Sequence, residues 1–413
     1  MKTTPVKGTN DYLPEQVVLR DYLQNVILKT YQSYGYQRIN TPILEDGENL
    51  DKSEGGENLN LIFKILKRGD KLEKALNASD FDKLSDLGLR YDLTLPLSRY
   101  YANNRSRLVK PFKCIQIDKV YRAERPQKGR LREFVQCDID ILGSSSSDCE
   151  TELINTTAKA LSNIGINDIR VKINDRSLLN YILEKSGFNP EQLPSVCITL
   201  DKLDKTGLDG VKSELEDKGF DAQAVETLCT LLEKQPVTLD SIKDLCGDEN
   251  DAVRNLEHII DSVKHISQNK FEIVYDMTLV RGQGYYTGTV FEIESTEFKG
   301  AIAGGGRYDN LIGKFINESV PAVGFSIGFE RIFSILTDSG FSIPDYKKRI
   351  ALIYDNGSFI EANSKADEFR NNYNVVMYEK PRKNMGKFID RLEEGDCDGF
   401  FIFNQSDEIK FFE

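Results

Sequence analysis

KVYRAERPQKGRLREFVQCDID, residues 119–140, is the densest chemical signal in the chain. Its flanks alternate apolar and polar groups: PFKCIQIDKVYRAE over 111–124 and REFVQCDIDILG over 132–143. That alternation predicts two antiparallel strands around a loop bearing glycine and arginine. From Lys119 to Arg132 there are six basic groups and one acid, so the segment is strongly cationic. A charge run of this kind is ordinarily a solvated hairpin. Here Arg122 and Glu124 share strand parity, which directs both to one face. The PQKG loop can bring Lys128 and Arg130 back over that face. A cationic fork beside a carboxylate suits a polyphosphate with its magnesium ions, because arginine grips phosphate through two parallel donors and glutamate offers hard oxygen. Gln136 and Asp140, four apart on the return strand, share a face where they can hydrogen-bond a polar ligand.

Two further segments extend the signal. In LVRGQGYYTGTVFE (279–292), Gly282, Gly284 and Gly288 weaken a strand. A strand tolerates them at a bend, or where backbone must approach a ligand. Arg281 opens this run, and Tyr285 and Tyr286 follow. AGGGRYDNLIG (303–313) precedes AVGFSIGFERI (322–332). Gly304–Gly306 lack the spacing of a P-loop, and no GxGxxG follows a parallel strand, so neither nucleotide fold fits. Arg331, early in a helix, either reaches a terminal phosphate or pairs with a neighbour.

Outside these segments, QVVLRDYLQNVILKTYQSY (16–34) has helical spacing and stops at Gly35. YQRINTPILED follows, interrupted by Pro42, which belongs at a sheet edge or an interface. LIFKI (61–65) and LGLRYDL (87–93) read as strands, and PLSRYYANN (96–104) as a helix. Helical patterns broken by Gly, Asn and Pro fill 175–268, predicting an insertion of five or six helices. After FSIPDYKK the tail alternates strand and helix, which predicts a small three-layer α/β domain.

The 413 residues include 54 Lys and Arg against 66 Asp and Glu, a net charge of −12. This excludes a generally basic coat, though not a nucleic-acid partner held by local patches. Seven scattered cysteines, none in a CxxC pair, favour reduced thiols in a cytoplasm over a disulfide frame or zinc site. Two histidines, His258 and His265, make a histidine triad or a multi-histidine metal site untenable. No apolar stretch reaches the roughly 18 residues of a membrane span.

KGTNDYLPE, INTPILE, LRYDLTLPLSRY, YRAERPQKGRLREFVQCDIDILG, LVRGQGYYTGTVFE and GFSIGFERI resemble, in order, the motifs of the class II aminoacyl-tRNA synthetases, and specifically of the histidyl-tRNA synthetase family. The resemblance implies an α+β fold: an antiparallel sheet flanked by helices, a helical insertion and a small C-terminal α/β domain. It places a catalytic core over 1–174 and 269–340, the insertion over 175–268, and a shortened anticodon-domain-like tail over 346–413. It implies activation of L-histidine by ATP with magnesium, transfer of the histidyl group to its tRNA, and a cytoplasmic homodimer.

By position, the resemblance assigns Arg122 to the α-phosphate and the histidine carboxylate, Arg130 to the β,γ-phosphates and Arg331 to the γ-phosphate. Glu124 faces adenine or metal, and Arg281 stabilises charge at the α-phosphate. Asp92 and Thr94 match the loop for the amino group. Gln136, Asp140, Tyr285 and Tyr286 line the amino-acid pocket, and Arg125, Gln127 and Lys128 meet the acceptor stem. Two departures stand out: Gly284 sits where many members carry an acid, and the tail holds 11 basic against 13 acidic groups. The other class with this sheet and a short tail is the non-catalytic regulatory subunit of ATP phosphoribosyltransferase. In that class the phosphate-binding arginines are typically degraded, whereas Arg122, Arg130, Arg281 and Arg331 all remain here.

Overall fold

The computed structural model describes the chain apart from residues 54–59, 128, 234–236, 248, 249, 281–283, 297, 345, 396 and 413. At 52, 53, 82, 204, 245, 246 and 299 it describes the backbone alone. Two compact units result: Met1–Asn10 with Leu23–Ser339, and Asp11–Tyr22 with Gly340–Glu413.

The chain opens with α1 (Pro14–Ser33), β1 (Gln37–Arg38), β2 (Leu44–Asp46), α2 (Gly47–Ser53), β3 (Lys64–Leu66), α3 (Asp70–Asn77) and β4 (Ser85–Leu89). Next come α4 (Thr94–Asn104), β5 (Phe112–Tyr121), β6 (Glu133–Leu142), α5 (Asp148–Asn163) and β7 (Ile169–Asp175). Six helices follow: α6 (Arg176–Ser186), α7 (Leu193–Leu200), α8 (Leu203–Asp217), α9 (Ala222–Glu233), α10 (Leu239–Cys246) and α11 (Asp251–Ser267). Asp175 caps the first of them, its carboxylate accepting from the amides of Ser177 and Leu178, and Gly187 ends that helix with φ +110°. The larger unit closes with β8 (Glu272–Tyr275), β9 (Thr289–Ser295), β10 (Phe298–Arg307), α12 (Gly313–Ile316), β11 (Ala322–Gly328) and α13 (Phe329–Asp338).

Eight strands form one sheet in the order β1-β5-β6-β11-β10-β9-β7-β8, and β2-β4-β3 form a small second sheet. The large sheet is antiparallel from β5 through β7, while β1 and β8 join its two edges in parallel. Pro42 falls between β1, an edge strand, and β2. Along β6 the odd residues Val135, Cys137, Ile139 and Ile141 are buried apolar groups. Helices α5 and α13 pack against β6, which leaves its even residues for the opposite face.

The smaller unit contains β12 (Arg349–Tyr354), α14 (Phe359–Arg370), β13 (Asn374–Glu379), α15 (Met385–Glu393), β14 (Gly399–Ile402) and β15 (Lys410–Phe411). Its sheet runs β13-β12-β14-β15, parallel except for β15. Leu352 packs with Ala362 and Ala366 of α14, while Ala351 and Ile353 pack with Leu392 of α15. Among the described residues no helix is long and apolar enough to cross a membrane.

Candidate active site

The β5–β6 ladder runs from Phe112 opposite Leu142 to Tyr121 opposite Glu133. One more bond, Arg122 N to Arg132 O at 2.9 Å, prolongs it, and Ala123 N donates to Leu61 O. The ladder stops there because the reciprocal amide, Arg132 N, donates to Gly8 O instead, while Ala123 N lies on the strand's other edge, the side on which Tyr121 N meets Arg90 O. Arg122 and Glu124 nonetheless converge, with Nη1 3.9 Å from Oε1, and Arg130 Nη1 approaches Glu124 Oε2 at 3.7 Å. Reciprocal backbone bonds between Gln127 and Arg130 close the hairpin tip. Arg122 is held from below, Nε donating to Tyr91 O at 3.0 Å and the guanidinium lying 5.2 Å from the Phe134 ring centre. Both contacts restrict its rotamers, so its fork is aimed before a ligand arrives.

The floor of the site is the even face of β6. Gln136, Asp138 and Asp140 lie opposite Gly328, Ser326 and Gly324 of β11. A Cβ on residue 324 would stand 2.0 Å from Asp140 Oδ1, so glycine there makes room for the carboxylate. Tyr308 donates its hydroxyl to that Oδ1 at 2.6 Å, and Gln136 donates Nε2 to Ser326 Oγ at 3.0 Å. Gln136 Oε1 and Asp138 Oδ1 are buried without a hydrogen-bond partner among the described residues. Orphaned acceptors of this kind are costly until a donor arrives.

Burial pushes the Asp140 carboxyl up to about 7; the Tyr308 hydroxyl opposes the shift and the charge of Asp92 adds to it. Burial also raises Asp138 well above the usual carboxylate range, and the neighbouring Asp140 charge contributes. Buried Asp92 accepts from Leu95 N at 3.2 Å and from the Tyr285 hydroxyl at 3.3 Å, and Thr94 Oγ1 lies 3.3 Å from the same hydroxyl. Tyr285 stacks edgewise on Tyr286 and Tyr308, with ring centres 4.9 and 6.0 Å apart. The result is an aromatic box with carboxylates on its floor.

All of this opens on one cavity of about 1330 Å³, larger than a typical small-ligand pocket of roughly 300–1,000 Å³. Arg122, Glu124, Arg125, Gln127, Arg130 and Arg331 line its cationic side. Thr94, Gln136, Asp140, Tyr285 and Tyr286 line the other. Asp92 is behind that wall and reaches the cavity through Tyr285. Arg331, in the first turn of α13, donates to Ala301 O and lies 5.9 Å from the Phe298 ring centre. Arg281 and Lys128 lie outside the described residues; Val280 and Gly284, which bracket 281–283, line the cavity. The helical insertion contributes Arg176, Cys197 and Lys205.

Among the cavity residues that the sequence leaves unassigned are Asp138, Tyr308, Ser326 and Glu330. Asp138 had a visible signal, since it shares parity with Gln136 and Asp140. Glu330, whose Oε1 accepts from Val135 N at 3.2 Å, and Tyr308 depend on pairings between distant strands.

An antiparallel sheet with arginines and buried carboxylates on a single cavity, and helices behind it, is the catalytic architecture of the class II aminoacyl-tRNA synthetases. The family model for histidyl-tRNA synthetase matches residues 8–332. The chain belongs to the histidyl-tRNA synthetase family. A histidine–tRNA ligase of Leifsonia xyli subsp. xyli is 40% identical over 365 residues, covering 85% of this chain and 84% of its own. One from Christiangramia forsetii is 37% identical over 350 residues, covering 81% and 76%. The crystal structure of histidyl-tRNA synthetase from Nostoc sp. PCC 7120 matches with a TM-score of 0.78 at 27% identity, covering 97% of this chain and 91% of that one. A protein described as an ATP phosphoribosyltransferase regulatory subunit/histidyl-tRNA synthetase from Bacillus halodurans C shares the fold, with a TM-score of 0.77 at 20% identity and 97% coverage of both chains.

Proposed function

We propose that the chain is a histidine–tRNA ligase. It joins L-histidine to ATP, releasing pyrophosphate, and passes the histidyl group from the adenylate to the 3′ end of its tRNA. The observation that carries this reading is the meeting of a cationic hairpin and a buried carboxylate floor on one cavity. Arg122 holds the α-phosphate and the histidine carboxylate, Arg130 the β,γ-phosphates and Arg331 the γ-phosphate, and Glu124 faces adenine or the magnesium that enters with ATP. Arg281 stabilises negative charge on the α-phosphate as a histidine carboxylate oxygen bonds to phosphorus and the bond to the departing pyrophosphate breaks. No protein nucleophile is required; positioning and charge neutralisation suffice.

Asp92 and Thr94 take the α-amino group, and Gln136, Asp140, Tyr285 and Tyr286 surround the imidazole. Asp140 can accept from an imidazole N–H, a partner that apolar side chains lack, which favours histidine over them. Asp138 adds acceptor density beneath them. Arg125, Gln127 and Lys128 meet the acceptor stem.

The enzyme works as a cytoplasmic homodimer. Ile43, Leu44, Leu66 and Leu87 are exposed apolar groups on or beside the β2-β4-β3 sheet, a surface suited to a second copy. In the smaller unit, exposed Phe359 and Ile360 and the cations Lys380, Arg382 and Lys383 offer a contact for tRNA.

Histidine-dependent ATP–pyrophosphate exchange by the purified protein is the test, with Arg281→Ala expected to abolish most of it. A folded, monodisperse preparation that exchanges nothing would sink the reading. Charging of histidine tRNA, compared with an anticodon-altered transcript, measures what the smaller unit contributes. Sedimentation at micromolar concentration checks the dimer.

A further inference from the structure

The segment before the first helix has a place in the site that no motif assignment gives it. Thr9 folds back on Val6, both its amide and its hydroxyl donating to Val6 O at 2.9 and 2.8 Å. The turn is docked against the root of the 122–132 hairpin. Gly8 O accepts from Arg132 N at 2.7 Å, and Lys7 O accepts from Arg132 Nη1 at 3.4 Å. Arg132 Nε donates in turn to Glu124 O at 3.1 Å, so one side chain ties the turn to both limbs of the hairpin.

Gly8 has φ +89°, the left-handed region that disfavours any side chain. A Cβ there would lie 2.7 Å from Pro126 Cγ and 2.8 Å from Arg132 Cγ. Pro126 is on the outgoing limb and Arg132 on the returning one. Residue 8 therefore touches both limbs at once, and any enlargement must lift or spread the loop above it. Glu124, Arg125, Gln127 and Arg130, which line the cavity, are carried by that loop.

We propose that the Val6–Thr9 turn is a brace that sets the height of the hairpin over the cavity, with Gly8 as its positioning residue. Nucleoside triphosphate affinity then depends on a segment that itself touches no ligand. The inference rests on the reading of the hairpin as the triphosphate arm.

The experiment uses full-length Gly8→Ala in histidine-dependent pyrophosphate exchange. The KM for ATP rises about tenfold to a hundredfold, the cost of a displacement of about 1 Å in a positioning group. The KM for histidine, whose pocket is built on β6 and the tyrosines, stays within about twofold. Arg132→Met keeps the aliphatic stem but loses the fork, and raises the ATP KM by a smaller factor; it carries the test if Gly8→Ala fails to fold. Because both changes release the same turn, their effects in the double variant are less than additive.

A lower rate with both KM values unchanged is the mark of a smaller folded fraction and would overturn the brace, as would equal rises in the two KM values. A second readout needs no catalysis: trypsin cleaves the native protein after Arg130 severalfold faster in either variant, because the loop is released. Equal cleavage rates overturn the proposal. A wild type that exchanges nothing while the variants still cleave faster removes the synthetase reading and leaves the brace standing.

Discussion

The two larger sheets of this chain are built to opposite rules. In the four-stranded sheet of the smaller unit, β12 reads Ile350, Ala351, Leu352, Ile353, all fully buried between α14 and α15. That continuous apolar run is what a parallel strand covered on both faces requires. In the eight-stranded sheet, β6 alternates: its odd residues are apolar against helices, while Gln136, Asp138 and Asp140 face a cavity and leave acceptors orphaned. Among the described residues, the smaller unit has no buried side-chain polar atom without a partner. The eight-stranded sheet holds acceptors over a cavity where a ligand's donors can reach them, so stability and activity should separate when each is altered.

The largest separation is expected at Arg122. Arg122→Ala should lower pyrophosphate exchange by about a thousandfold, the scale of losing a charge-stabilising donor, while the melting temperature barely moves. A modest rate loss would mean the hairpin is a solvated arm after all.

Asp140→Asn should lower kcat/KM for histidine by about a hundredfold and yet stabilise the protein. The sign follows from linkage. The folded carboxyl titrates near 7 and the unfolded one near 3.8, so the native state holds the extra proton between those values. Wild-type stability therefore falls as pH rises through this window, by at most about 4 kcal/mol from this group. Thermal melts of the two proteins should coincide most closely at pH 4 and diverge by pH 8, with the asparagine variant melting higher. Parallel curves would remove Asp140 as the titrating group.

Gly324→Ala attacks the same carboxylate from across the ladder, since its Cβ would collide with Asp140 Oδ1. Its histidine KM should rise by about tenfold or more, with about 1–3 kcal/mol of destabilisation from overpacking. Unlike Asp140→Asn, it should lose both stability and affinity. Smallest in its effect on exchange is Leu352→Ala. It should cost the smaller unit about 2–5 kcal/mol, read by denaturant titration, and leave the exchange rate per folded molecule unchanged. A matching loss of exchange would show that the two sheets are not separable.

The same contrast explains what was legible in the sequence. The β5–β6 hairpin joins neighbours in the chain, so its alternation and basic loop are visible at once, as are an insertion of five or six helices, of which the structure has six, and the apolar strands of the tail. The α+β class followed. The insertion of β11 between β6 and β10 was not legible, because Asp140 meets Gly324 only through pairing of distant segments. Tyr308 was therefore missed, although its hydroxyl is the closest partner Asp140 has. Asp138 was overlooked despite sharing the face of two assigned neighbours. Arg122 and Glu124 meet on one side, as their parity requires, but β5 ends at Tyr121, because Gly8 accepts the Arg132 amide that would have carried the ladder onward.

The helical insertion begins at the end of β7 and returns at the start of β8, and those two strands are parallel neighbours. Parallel neighbours need a crossover of a dozen residues or more, so no tight turn can replace the whole excursion. Helix α11, which packs on α5, β7 and β8, is that crossover. A minimised version of this protein has to keep the last helix, which belongs to the sheet's own wiring rather than to the excursion it ends.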